Sequence, residues 1–210
     1  MLGQLKEDVY RANMELPKRG LVTYTWGNVS GIDRGSGCFV IKPSGVSYDR
    51  LRPEDMVVVN LQGERVEGSC RPHPHSSWAT SWAQAGRDIP LYGTTQADYF
   101  FGPVACAREL TDEEIDGEYE KNTGLVMIEC LEARKMNPEY HPGMLVKNHG
   151  PFTWGKDAAE AVHNAVVLEE IAKMAFRTEQ LNPEAVPAGQ ALIQKHFYRK
   201  HGENAYYGQN

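Results

Sequence analysis

Val29-Ser30-Gly31-Ile32-Asp33-Arg34-Gly35-Ser36-Gly37-Cys38-Phe39-Val40-Ile41-Lys42-Pro43-Ser44-Gly45 holds two short β-type runs, 29–32 and 38–41. A glycine-serine turn separates them, and a second turn at Pro43-Ser44-Gly45 closes the pair. Short runs rich in Val, Ile and Phe, bounded by Gly, Pro and Ser, read as strands. A third such run, 56–60, follows, and a fourth, 21–25, precedes them. The connections are too short for a helical crossover, so neighbouring runs pair antiparallel as a meander. Leu61-Gln62-Gly63-Glu64-Arg65 reads as the tip of a further hairpin.

Away from this meander the apolar period changes from two to 3.6. Residues 3–18 place Leu5, Val9, Ala12 and Leu16 at helical spacing, with Pro17 and Gly20 as the stop. Residues 78–85 read as helical, and 89–92 and 104–106 as short extended pieces. Thr111 with Glu114 three residues on is a capping box opening an acidic surface helix, and 122–135 reads as a second helix, although 125–128 alone also reads as a strand. Residues 144–147 form a strand feeding His149. Residues 157–177 are the clearest helix: Asp157 caps it, Glu160 sits at N3, and Ala161, Ala165, Leu168, Ala172 and Ala175 share a face. His163, inside it, reads as a packing residue. Pro187 opens a last helix to about Lys200, with Leu192, His196 and Arg199 on one stripe.

Three groups carry possible chemistry. In His73-Pro74-His75 two imidazoles two residues apart point to one face of an extended strand. They can close on one metal ion at about 2.0–2.1 Å per bond, and His149, where an apolar run meets a Gly-Pro turn, is the candidate third ligand. Three histidines with an open fourth position suit a catalytic zinc-type centre, although on spacing alone His-x-His reads more readily as a chance pair in a loop. Gly27-Asn28 and Lys42-Pro43-Ser44-Gly45 each set a glycine beside a small polar residue, so backbone N–H groups can approach an anion while Lys42 adds charge. Singly, each reads more readily as a plain hairpin turn. Asp98 lies among aromatics in Gly93–Gly102, where desolvation would raise a carboxylate into the acid/base range, or it caps a turn.

The 210 residues are 41% hydrophobic and 24% charged, the composition of one soluble domain with a real core. A net charge of −6 argues against nucleic acid or an anionic membrane as partner. No apolar run is long enough to span a bilayer, and no secretion signal is visible, so a cytoplasmic location is expected. The four cysteines form no CxxC pair and read as reduced thiols. No GxGxxG or P-loop is present, so no nucleotide cofactor is expected.

Residues 21–30 (Leu-Val-Thr-Tyr-Thr-Trp-Gly-Asn-Val-Ser) and 41–46 (Ile-Lys-Pro-Ser-Gly-Val) resemble the class II aldolase/epimerase family. So do Gly93–Gly102, Lys147–Gly155, His163-Asn164-Ala165, and Arg199-Lys200-His201-Gly202 with Tyr206-Tyr207-Gly208-Gln209. The resemblance runs along the whole chain, and the tyrosine-bearing tail points to the epimerase rather than the aldolase branch. It implies an α/β fold, a central, mainly antiparallel sheet flanked by helices in three layers. It implies a divalent metal, zinc in most members, on His73, His75 and His149. Gly27, Asn28, Ser44 and Gly45 would hold a sugar phosphate with Lys42 nearby. Asp98 and Tyr207 would be the acid/base pair, with His196 in support. The resemblance further implies a homotetramer in which the tyrosine reaches a neighbour's metal centre.

The activity implied is interconversion of L-ribulose 5-phosphate and D-xylulose 5-phosphate. The C4 hydrogen of such a ketose is not α to the C2 carbonyl and is not acidic. Inverting C4 therefore proceeds by breaking and re-forming the C3–C4 bond, with a proton acceptor on one face and a donor on the other. The chain departs from the family in three places. About a helix and a strand are missing between Gly68 and Trp78, together with a Ser-Ser-Asp motif. Pro74 replaces Thr between the histidines, where it forfeits a ladder hydrogen bond, and Gln96 stands where the family usually has His. The alternatives are a class II sugar-phosphate aldolase of the L-fuculose-1-phosphate type, and a non-catalytic oligomer that has lost its metal site.

Overall fold

The first helix, α1 (Gly3–Lys18), buries Val9, Ala12, Asn13 and Leu16 along one face. It ends in a Schellman motif: the Leu21 N–H donates to the Leu16 carbonyl at 3.0 Å and the Gly20 N–H to that of Pro17 at 3.1 Å. Gly20 takes the left-handed conformation this needs, at φ +66°. This ending overturns the strand expected at 21–25. Leu21 is spent on closing the helix, and Tyr24, with φ +54° and 84% exposed, cannot continue an extended run.

The computed structural model describes residues 2–25, 27–43, 45–60, 65–67, 76–201 and 205–206. They belong to two compact units: the chain up to Ser76 with Trp154–Val166, and Ser77–Thr153 with the chain from Val167 onward.

In the first unit the meander forms as its turns dictate. β1 (Ser30–Asp33), β2 (Cys38–Ile41), β3 (Val57–Asn60) and β4 (Arg65–Glu67) lie side by side in chain order, each pair antiparallel. The β1–β2 turn is fixed by Asp33, whose carboxylate accepts the Gly35 N–H at 3.1 Å, and by Gly37 at φ +66°. The β3–β4 pairing supports the hairpin expected around 61–65, although residues 61–64 lie outside the described residues. Val40, Met56 and Val58 pack with α1 and with Ala158 and Val162. Asn13, fully buried, joins helix to sheet: its side chain exchanges both hydrogen bonds with the Val29 backbone, each at 2.9 Å.

In the second unit come α2 (Ser77–Gln84), α3 (Thr94–Ala97), β5 (Cys106–Ala107), α4 (Asp112–Asp116) and α5 (Tyr119–Ala133). β6 (Gly143–Val146), β7 (Gly150–Thr153), the later turns of α6 (Ala158–Leu181) and α7 (Gln190–Lys200) follow. β6 pairs parallel with β5 and antiparallel with β7. Ile89 and Val104 meet in an isolated antiparallel bridge. Pairing is thus mainly antiparallel and flanked by helices, as expected of the α/β class, with the described strands in two sheets. The Thr111 capping box holds, with the Glu114 N–H donating to Thr111 Oγ1, and Asp157 caps α6 by accepting the Glu160 N–H at 2.8 Å, while the Glu160 carboxylate accepts the Lys156 N–H. His163 is exposed. No helix among the described residues is long and apolar enough to cross a membrane.

Candidate active site

Three local arrangements carry the polar chemistry. The first is the pair of turns at the ends of β1 and β2. Lys42, immediately after β2, is only 1% exposed. Its ammonium donates to the carbonyls of Pro43 at 3.1 Å and Thr25 at 3.5 Å and lies 4.7 Å above the Tyr48 ring. Among the described residues no carboxylate meets it, and burial pushes its pKa below the ordinary lysine value. Burial likewise pushes the Tyr48 phenol up, so it keeps its proton and donates it to the Gly27 carbonyl at 2.7 Å. Gly27 is required here: its φ is +84°, and a Cβ would overlap the Val22 side chain and stand 3.1 Å from the Tyr48 oxygen. Gly45, at φ +75°, is exposed and open around its Cα, and Asn28 is half-buried. Ser44 lies outside the described residues.

The second arrangement centres on Asp98, which follows α3. Its Oδ1 accepts from Arg199 at 3.0 and 3.2 Å and lies 3.0 Å from His196 Nδ1. Its Oδ2 accepts from Arg199 at 2.9 Å and lies 3.5 Å from the Lys200 ammonium, while the Asp98 carbonyl is 2.8 Å from His201 Nε2. Burial raises the Asp98 pKa, but hydrogen bonds from Arg199 and His196 and the charges of Lys200 and Arg199 outweigh it and hold it below the ordinary carboxylate range. Desolvation among aromatics is therefore not what governs this acid; the basic end of α7 is. On α7, His196 and Arg199 share one face as expected and both meet Asp98, while Leu192 is exposed. Ile193 and Phe197 face the core, with Phe197 5.1 Å from both Phe101 and Tyr140, and this turns His196 and Arg199 toward Asp98. Gln96 is buried, and its amide lies 3.4 Å from the Gly102 carbonyl and 3.5 Å from that of Ile89, bracing the loop that carries Asp98.

The third is the β6–β7 turn bearing His149. Asn148, at φ +61°, makes the reversal, and Glu109 holds its base through Lys147 at 2.9 Å and Asn148 at 2.5 Å. The His149 ring stacks on Tyr119, 5.8 Å between centroids and 7° from parallel, and its Nδ1 lies 3.2 Å from the Tyr119 hydroxyl. Phe152 meets it edge-on at 5.1 Å. His73 and His75 lie outside the described residues, as does Tyr207. Among the described residues no three metal-ligating side chains converge.

The structure thus brings Asp98 to His196, and Gly27 to Lys42 through Tyr48. Sequence reasoning missed Asn13, Tyr48, Glu109, Tyr119 and the role of Arg199. Each acts across a long sequence separation with an ordinary residue type, and only a polar residue on the apolar face of α1, Asn13, left a visible signal. It also missed Glu169, whose buried carboxylate accepts the Trp78 and Ala79 N–H groups at 2.8 and 2.9 Å, capping α2.

A buried lysine in a turn and a His-Asp-Arg cluster at a helix end occur here in a chain that matches a known family. The family profile described as Class II Aldolase and Adducin N-terminal domain matches residues 7–73 and 69–176, and the chain belongs to this family. It is 53% identical to the L-ribulose-5-phosphate 4-epimerase UlaF of Salmonella paratyphi C over 227 aligned positions, covering 98% of this chain and 99% of that protein. The UlaF of Salmonella typhi matches to the same extent. A solved structure of an L-fuculose 1-phosphate aldolase superposes with a TM-score of 0.76 over 93% of this chain and 95% of that one, at 20% identity, a likeness of fold. The alignments run over 227 positions against 210 residues here, so the relatives carry residues this chain lacks. The two stretches matched by the family profile meet at 69–73.

Proposed function

We propose that the chain interconverts L-ribulose 5-phosphate and D-xylulose 5-phosphate by breaking and re-forming the C3–C4 bond. The observation that carries this is the 53% identity, across nearly the whole of both chains, to proteins named L-ribulose-5-phosphate 4-epimerase. Gly27, Asn28, Lys42, Ser44 and Gly45 would hold the phosphate, which supplies the anion that buried Lys42 lacks among the described residues. Asp98, ionised at neutral pH, suits the proton-acceptor side, with His196 and Arg199 fixing its oxygens; the donor role falls to Tyr207.

A divalent ion, zinc for a set of three imidazoles, would sit on His73, His75 and His149. Its described member fits: His149 is half-buried, with its ring oriented through Nδ1. When bound, the ion supplies Lewis-acid stabilisation of the negative charge that develops as C3–C4 breaks. We also propose a single family domain lacking a segment between Gly68 and Trp78, a homotetramer, and a cytoplasmic location.

Incubation of the chain with L-ribulose 5-phosphate, followed by product analysis, tests the activity. D-Xylulose 5-phosphate is expected, and a chelator is expected to abolish it. Release of cleavage products without the C4 epimer would establish the aldolase instead. The shorter chain, the break at 69–73 and Gln96 favour one second reading, a non-catalytic homologue. It predicts neither product nor bound metal.

A further inference from the structure

Tyr119 opens α5, thirty residues before His149, and nothing in its sequence neighbourhood Gly117-Glu118-Tyr119-Glu120 marks it as part of a site. Its contacts with His149 are of two independent kinds. The phenol oxygen stands 3.2 Å from Nδ1, and the two rings lie nearly parallel. The hydroxyl addresses one nitrogen, and the stacking restricts rotation of the imidazole about its Cβ–Cγ bond. A phenol oxygen can accept a proton held on Nδ1, and that tautomer leaves its lone pair on Nε2. A histidine ligating through Nε2 needs this arrangement, usually supplied by a carboxylate or a carbonyl. The backbone beneath the ring is held as well, since Glu109 takes both Lys147 and Asn148, and Thr123 Oγ1 donates to the Tyr119 carbonyl at 2.8 Å.

We infer that Tyr119 is a positioning residue for His149, setting the orientation and tautomer in which Nε2 accepts a divalent cation. This rests on the proposal that His149 is a metal ligand.

The test compares the full-length chain, Tyr119→Phe and His149→Ala, each stripped of metal and titrated with Zn2+ against a chromogenic chelator. Phenylalanine keeps the stacked ring and removes only the hydroxyl. Tyr119→Phe should melt close to the unmodified chain in the metal-free state while binding zinc about 10–100-fold more weakly, the usual cost of losing an outer-shell partner. The 15N shifts of His149 in the zinc-loaded chain should show the Nδ1–H form, and Tyr119→Phe should broaden or mix it. Unchanged zinc affinity in Tyr119→Phe, with zinc lost in His149→Ala, would overturn the inference and leave the metal proposal standing. Undiminished zinc in His149→Ala, or none in the unmodified chain, would remove the metal proposal and the inference with it. A drop in metal-free melting temperature with unchanged affinity would make Tyr119 a stability residue only, and would also overturn it.

Discussion

Lys42 is a cation held without a counter-charge among the described residues. Two carbonyl oxygens and an aromatic face offset part of its desolvation, and its lowered pKa records the remainder. The sign follows from the charge: the cost is present wherever the folded lysine is protonated and is relieved only as pH rises toward the ordinary lysine value. A buried charge that costs stability is the kind of position where ligand binding, if it occurs there, offsets the cost. Lys42→Met is therefore expected to raise the unfolding free energy by about 1 kcal/mol, because an apolar isostere removes the buried charge. The same change should raise KM for a sugar phosphate roughly 10–100-fold through loss of a charge-assisted contact. Urea denaturation and steady-state kinetics on one preparation check both. A variant that is less stable and binds as before would show Lys42 to be structural.

At the scale of elements, α7 and the turn after α3 are held together through one carboxylate. Packing of Ile193 and Phe197 sets the rotation of α7, and its basic last turn then falls on Asp98. Asp98 has its pKa lowered in the folded chain, so its contribution to stability is present above the ordinary aspartate value near 4 and is lost as pH falls through the lower folded value. Arg199→Gln removes the largest of the opposing influences and lets burial push the carboxyl up. The acid limb of kcat/KM should then move to higher pH. Stability at pH 7 should fall by about 1–3 kcal/mol, less than for a fully buried pair because Asp98 is 13% and Arg199 23% exposed. A pH–rate profile and a melting series read the two effects. An unmoved acid limb would mean that Asp98 does not set it.

At the scale of the molecule, the C-terminal tail raises the question of assembly. Tyr206 is anchored by its N–H to the Arg199 carbonyl at 2.9 Å and by the Lys195 ammonium 5.6 Å from its ring, yet it remains 66% exposed. Holding any chain segment in one conformation costs about 1–2 kcal/mol per residue in backbone entropy. Docking on a second copy would offset this and deliver Tyr207 to a neighbour's site, as the proposed tetramer requires. Mixing Tyr207→Phe subunits with His149→Ala subunits tests the sharing. Each alone should be nearly inactive, and hybrids confirmed by native mass spectrometry should regain part of the activity. Hybrids that stay inactive would assign Tyr207 to its own subunit or to none.

The sequence by itself determined the pieces that local chemistry controls. Turn glycines and short β-rich runs set the β1–β3 meander, helical apolar spacing set α1 and α6, and the Thr111 and Asp157 caps were legible because their partners lie three residues away. Family motifs likewise marked Gly27, Lys42, Asp98, His149 and His196. What only the tertiary structure decided is whatever depends on partners far along the chain. Arg199, 101 residues from Asp98, reverses the pKa direction that aromatic neighbours alone suggested. Tyr119 orients His149 from another element, and Asn13 pins Val29, at the entry to β1, to α1 from sixteen residues away. Leu21 belongs to a helix cap rather than a strand because its buried contact is with Leu16. A residue's type and spacing fix what it is able to do, but a carboxylate's charge or an imidazole's orientation is set by the sum of fields and contacts around it, and folding alone brings those together.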